Sequence, residues 1–347
     1  MCKTSIIFNM RNFLLFVFST LILFISCNES NPLHVDVSHV PVPELAIKRL
    51  DQDVFTMDTT DITSSTKKLQ AKYGSFYSRF VTGILNNGEI RDSSYAIRIK
   101  QFIRERDMHK AYEDCQKIYP DVNELTAGLS DAYQHFSYYF PNRILPQPVT
   151  MMSGFNYSIY PLDSTLAIGL EMYLGSNNDF YKMIGFPRYR TLFMNKENIL
   201  PDAVQGWMIN EFPYMMNKND FLSQIIYIGK IMYATDALIP DVQDTLKMRY
   251  TKSQMDYCIE NEFNVWSYFA AQKIVYTTDQ GEIMKFTSEG PFTSALSKQS
   301  APRIGYWIGW QIVKQYMRTN PKVSLEQLMK ETDAQQILVK SKYKPRK

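Results

Sequence analysis

Large apolar side chains return at steps of three and four over most of this chain, the spacing that lays one face of an α-helix against a core. Leu69, Tyr73, Phe76, Phe80 and Ile84 do so within Thr66–Leu85. Ile97, Phe102, Met108 and Tyr112 do so within Tyr95–Ile118, and Leu125, Leu129, Tyr133, Phe136 and Phe140 within Asp121–Phe140. Each stretch predicts a helix. Pro201 opens another over Leu200–Asn217, which Pro213 must kink or end because proline lacks the amide a helix interior needs. Phe221–Ile239 predicts a strongly apolar helix, and Thr251 with Gln254 has the capping-box spacing that starts one running to Val275. Pro302 and Asn320-Pro321 bracket a helix over Arg303–Thr319, and Ser324 with Gln327 caps a last short one. The centre breaks the pattern. Pro148–Pro161 and Thr165–Gly175 are β-branched and aromatic runs joined by Leu162-Asp163-Ser164, which predicts a hairpin, and Glu44–Asp51 alternates enough to read as a strand. The fold class expected is mainly α (α+β): a single large helical domain with a small central β-hairpin or sheet.

The N-terminus carries an address rather than a fold. Lys3 and Arg11 precede the apolar run Phe13–Ile25, which is too short to span a bilayer and has the build of a secretory signal. Leu23-Phe24-Ile25-Ser26-Cys27 then resembles the bacterial lipobox, with Phe24 where leucine is usual. The expectation is a lipoprotein signal peptide over 1–26, a lipidated Cys27 carrying palmitate-like acyl chains, a flexible tether over 27–43, and a globular domain over 44–347. Two or more acyl chains suffice for stable anchoring. Removing the signal takes Lys3 and Arg11 and no acid, so the net charge falls from +3 to +1. No basic field for nucleic acid follows from that balance. Cys115 and Cys258 remain, each in a helical pattern, free to pair or to stay as buried thiols.

The search for chemistry finds little. The chain has 4 histidines: His34 and His39 in the tether, and His109 and His135 on what should be polar helix faces. H-E-x-x-H, G-x-S-x-G and a P-loop are missing; Gly229-Lys230 has neither the upstream glycine nor the following hydroxyl. Asp51, Asp53, Asp58 and Asp61 lack the glycine and terminal glutamate of a calcium loop. Gly305 and Gly309 form a G-x-x-x-G in a short apolar stretch, which predicts close helix packing inside a core. No catalytic residue, metal site or cofactor is expected.

Several blocks in combination resemble the gliding motility lipoprotein GldB family of Bacteroidetes. They are Leu222–Lys230, Met232–Pro240, Glu260–Phe269, Pro291–Ser294, Pro302–Val313 and Leu328–Leu338, with Ile47–Asp51 and Gly169–Gly175 agreeing more loosely. That family in turn is similar to predicted zinc peptidases with H-E-x-x-H on one helix and an acidic ligand on the next. The resemblance implies a degenerate, zinc-peptidase-like site. Asn210 and Tyr214 stand where imidazoles would be, Ile228 where the acidic ligand would be, and Glu211 as the relic of the general base. Without ligands there is no metal-bound water for Glu211 to deprotonate.

The resemblance therefore implies a pseudoenzyme of the cell envelope that serves the gliding machinery. Export and acylation would anchor it to a membrane, and Asn28-Glu-Ser-Asn31, which lacks the acidic run resembling a surface-export signal, favours a domain facing the periplasm. Its partners would be proteins of the motility or secretion machinery. Two other classes are carried beside it. One is a residual hydrolase using carboxylates such as Glu171, Glu211 or Glu289. The other is a surface lipoprotein that binds glycan or peptide through exposed aromatics, an idea invited by 23 tyrosines.

Overall fold

The computed structural model describes residues 32–162 and 164–345. Met1–Val35 and Asp36–Lys347 form separate units. Of the first, only residues 32–35 are described, so the signal segment, Cys27 and Asn28–Asn31 lie outside the described residues.

The second unit is mainly helical with one small sheet, as the apolar spacing predicts. Its first half contains β1 (Lys48–Arg49), α1 (Leu50–Phe55), α2 (Ile62–Tyr73), α3 (Ser75–Arg79), α4 (Tyr95–Arg104), α5 (Arg106–Ile118) and α6 (Asn123–Tyr139). The helix expected over 66–85 breaks at Gly74, whose φ of 59° suits glycine, and ends in a π-turn at Phe80–Ile84. The helix expected over 95–118 breaks at Glu105, whose carboxylate accepts from Met108 N at 2.6 Å and caps α5. Periodicity runs through both breaks because the two pieces bury the same face.

The sheet corrects the sequence reading in register and extent. β2 (Gln147–Met151), β3 (Ile159–Leu162) and β4 (Thr165–Gly169) join β1 in the order β1-β2-β4-β3. The hairpin is real, but it is β3 against β4, antiparallel with Ile159 opposite Ile168. The expected strand over 148–161 is two strands, and β2 runs parallel to β4 along its other edge. Ser153–Tyr157 turns the chain between them, with Gly154 and Phe155 at positive φ. Leu170–Tyr173 is a 3-10 turn, not a continuation of β4. Pro161 sits on the edge strand, where a missing amide costs no ladder bond. The strand expected over 44–51 shrinks to two residues, because Leu50, Asp51, Val54 and Phe55 bury one helical face and α1 starts at Leu50.

The second half contains α7 (Asp179–Ile184), α8 (Arg188–Thr191), α9 (Ile199–Glu211), α10 (Phe221–Leu238), α11 (Asp244–Met248) and α12 (Lys252–Ala271), followed by α13 (Gln280–Thr287), α14 (Ile304–Thr319), α15 (Leu325–Lys330) and α16 (Ala334–Ser341). Both expected capping boxes form, at Thr251/Gln254 and Ser324/Gln327. Pro213 ends α9 rather than kinking it. α10 is buried almost all round and is the axis of the core. It crosses α14 at Gly229 and Gly309: a methyl on Gly309 would overlap the carbonyl oxygen of Ile225, and one on Gly229 would overlap that of Gly309. The G-x-x-x-G seam is therefore backbone against backbone. On the other side of the core, Trp207 of α9 packs on Phe136 and Tyr133 of α6, with ring centroids 4.3 and 4.9 Å away.

Candidate functional site

The four positions singled out by the zinc-peptidase resemblance do not form a pocket of convergent donors. Asn210 is exposed in the last turn of α9. Glu211, at the end of that helix, pairs with the Arg143 guanidinium, which also lies 4.4 Å from the centre of the Phe212 ring. Tyr214 falls beyond the helix and donates its hydroxyl to Lys218 O at 2.6 Å. Ile228 is half-buried on α10. Among the described residues, no three His, Cys, Asp or Glu side chains are grouped so that they could hold a metal ion. The four early aspartates also diverge. Asp53 binds Tyr73 and Lys72, Asp58 closes the turn at Thr60, and Asp61 caps α2.

Buried charge in this protein holds backbone in place. Asp51 accepts from Arg49 Nη2 at 2.8 Å, Gln116 Nε2 at 3.1 Å and Thr150 Oγ1 at 2.5 Å, tying α1 to β2 and α5. Glu171 is fully buried and its Oε1 accepts from Ser153 N at 2.6 Å, Phe155 N at 3.1 Å and the Ser153 hydroxyl. The chain between β2 and β3 thus wraps around one carboxyl oxygen. The other oxygen, Oε2, is buried without a partner. Burial disfavours the charged form, and the Glu171 carboxyl is pushed up to about 7. Asp236 on α10 accepts from Lys247 Nζ at 2.8 Å and Trp310 Nε1 at 3.0 Å. Lys230, whose motif-like Gly-Lys suggested nothing in sequence, donates to Met329 O and Glu331 O at 3.0 and 2.6 Å and closes the end of α15. Burial lowers its ammonium to about 8.

Two expectations on single residues resolve here. His135 is 5% exposed rather than on a polar face, and its Nδ1 lies 3.0 Å from Asp131 O, so its own helix satisfies it. Cys115 and Cys258 are both free and buried. Burial pushes both thiols up, which keeps them unreactive.

Arginines meet at a cleft that sequence reasoning missed. Arg190 of α8, Arg249 after α11 and Arg303 before α14 line a cavity of about 40 Å³ with Tyr189, Gln254 and Glu289. Arg303 Nη2 donates to Met248 O at 2.7 Å, and Arg249 Nη2 to Phe193 O at 3.2 Å. Beneath them Arg249 Nη1 lies 3.6 Å from Asp202 Oδ2, which also accepts from Tyr173 OH at 2.8 Å. Arg249 and Arg303 both hold a left-handed backbone at φ 52°, a conformation that costs a side-chain-bearing residue about 1–2 kcal/mol. Gln254 also lines a second hollow, a trough of about 440 Å³ bordered by Thr251, Asp256, Glu260, Pro291 and Lys298. Gln254 is the residue common to both, and it completes the Thr251 capping box and donates to Pro291 O at 3.0 Å.

An α+β body with a glycine-crossed helical core, no convergent metal donors among its described residues, and one basic cleft defines the class: a mainly helical protein whose buried polar groups serve the fold. The model of the family described as gliding motility protein GldB matches residues 30–345. The chain belongs to that family, whose name places it among gliding motility proteins. No curated protein and no solved structure matches it. No helix among the described residues is long and apolar enough to cross a membrane.

Proposed function

We propose that this protein is a lipid-anchored envelope component of the gliding machinery that works by contact, not by catalysis. Cys27 would carry the anchor, and the domain would face the periplasm on a tether ending near Pro43. The observation that carries the non-catalytic reading is what Glu211 does. The one residue left over from a general base is closed by Arg143, and its would-be ligand neighbours are an exposed amide, a tyrosine bound to Lys218 O and an isoleucine. Glu171, the next carboxylate considered for hydrolysis, is sealed from solvent around a loop it organises. Glu289 stands apart from both at the rim of the arginine cleft. A general base needs access to the proton it removes, and these groups offer no shared site for one. Descent from a zinc-peptidase-like ancestor belongs to this reading.

The anchor is tested by labelling cells with a clickable palmitate. Wild type should be marked and Cys27→Ser should not, and only the labelled protein should restore gliding to a deletion strain. Equal labelling of both would reject Cys27. Protease treatment of intact cells tests the orientation: a domain digested before the outer membrane is permeabilised stands on the surface, against the periplasmic placement.

A further inference from the structure

We propose that the arginine cleft is a peptide-binding site: a carboxylate of an extended peptide seats among Arg190, Arg249 and Arg303, and the neighbouring residues lie in the trough beyond Gln254. The cavity is the reason for a carboxylate. Its volume of about 40 Å³ admits a group of a few heavy atoms, the scale of one to three waters. Arg190, Arg249 and Arg303, from three separate segments, line it, and guanidinium donors arranged in a fork match carboxylate geometry. Arg249 and Arg303 each give one Nη to a main-chain oxygen, which fixes the side chains in place before any ligand arrives. Glu289 in the lining sets one carboxylate against the three arginines, and burial pushes the Asp202 carboxyl behind Arg249 up, so the site keeps a net positive charge that suits an anion.

The trough is the reason for a peptide. It is open and about ten times larger, at about 440 Å³, and it offers hydroxyl and amide groups at Thr251 and Gln299 with carboxylates at Asp256 and Glu260. An extended main chain supplies the donors and acceptors such a wall needs, and a basic side chain upstream of the carboxylate would meet Glu260 and compete with Lys252, which pairs with Asp256 at 2.8 Å. The carboxylate has two sources, the chain terminus or an acidic side chain, and the chemistry is the same for both.

Full-length protein in detergent, immobilised, is exposed to three libraries of random pentapeptides: one with free C-terminal carboxylates, one C-amidated and without Asp or Glu, and one C-amidated with a single central Asp. Retention is read by mass spectrometry. The expected result is retention of at least one carboxylate-bearing library about tenfold above the amidated acid-free one, and which of the two is retained identifies the source. Arg190→Gln should lower that retention about tenfold with an unchanged melting curve, because Arg190 is exposed and its recorded packing is on the Phe186 ring. Asp256→Lys should shift retention away from peptides with basic residues. Equal retention of all three libraries, or retention untouched by Arg190→Gln, overturns the proposal. So does displacement of retained peptide by inorganic phosphate at concentrations where acetate has no effect.

Discussion

One helix, α14, carries two regions of opposite design. At its middle, Gly309 meets Gly229 of α10 with no side chain between the backbones. Just before its first residue, Arg303 holds a left-handed φ and lines a charged cleft. The crossing gains close packing by removing atoms. The cleft accepts backbone strain and gathers like charges, both of which cost stability, and so it has the character expected where a ligand supplies the missing counter-charge. Stability and recognition are separated along about two turns of the same element.

The sharpest way to break that comparison is at the crossing. Replacing Gly309 by leucine drives a side chain into the Ile225 carbonyl, so the two helices must part along their whole contact. The expected loss is about 3 kcal/mol or more, at the upper end of overpacking. Thermal melting with circular dichroism checks it. An unchanged melting temperature would mean that the seam is not what holds α10 and α14 together.

A smaller effect is expected at Glu171. Its carboxyl, raised from 4.5 to about 7, keeps its proton in the folded state over a range where the unfolded chain has lost it. Stability from this group is therefore greatest below about pH 4.5 and falls as pH rises toward 7, by about 3 kcal/mol if the shift is fully expressed. Above 7 the contribution is flat. Melting curves between about pH 5 and 8 should show this slope in wild type and lose it in Glu171→Gln, which keeps the acceptor for Ser153 and Phe155. Parallel curves for the two proteins would place the pH response elsewhere.

The smallest effect is expected at the cleft. Arg190→Gln should change stability by less than about 0.5 kcal/mol, as exposed substitutions do. A large loss there would make the cleft another structural element and erase the contrast with the crossing.

The crossing was legible in sequence because G-x-x-x-G is local: four residues on one helix announce a close approach whatever the partner. The partner, Gly229, is not legible, since a single glycine in an apolar helix carries no spacing that announces a close approach. Long helices were legible from periodicity. Their breaks at Gly74 and Glu105 were not, because a bend that keeps the same face buried leaves the spacing intact. The hairpin turn is readable from Leu162–Ser164, but β2 pairs parallel with β4 past the β3 that intervenes in sequence, a pairing that no local pattern announces. The cleft was the least legible. Arg190, Arg249 and Arg303 lie in three segments with no common motif, and only tertiary structure brings them together.

Contact, not conversion, is the work proposed for this protein, and Glu211 is the residue at which that proposal is most exposed. Gliding speed of a deletion strain carrying Glu211→Gln on the full-length chain measures it most directly, with the protein's abundance in the membrane fraction followed alongside. The wild-type speed is expected, since the side chain forms an ion pair with Arg143 at a half-buried helix end. Loss of gliding by a variant that is folded, anchored and present at normal abundance would contradict it and restore Glu211 as a catalytic base.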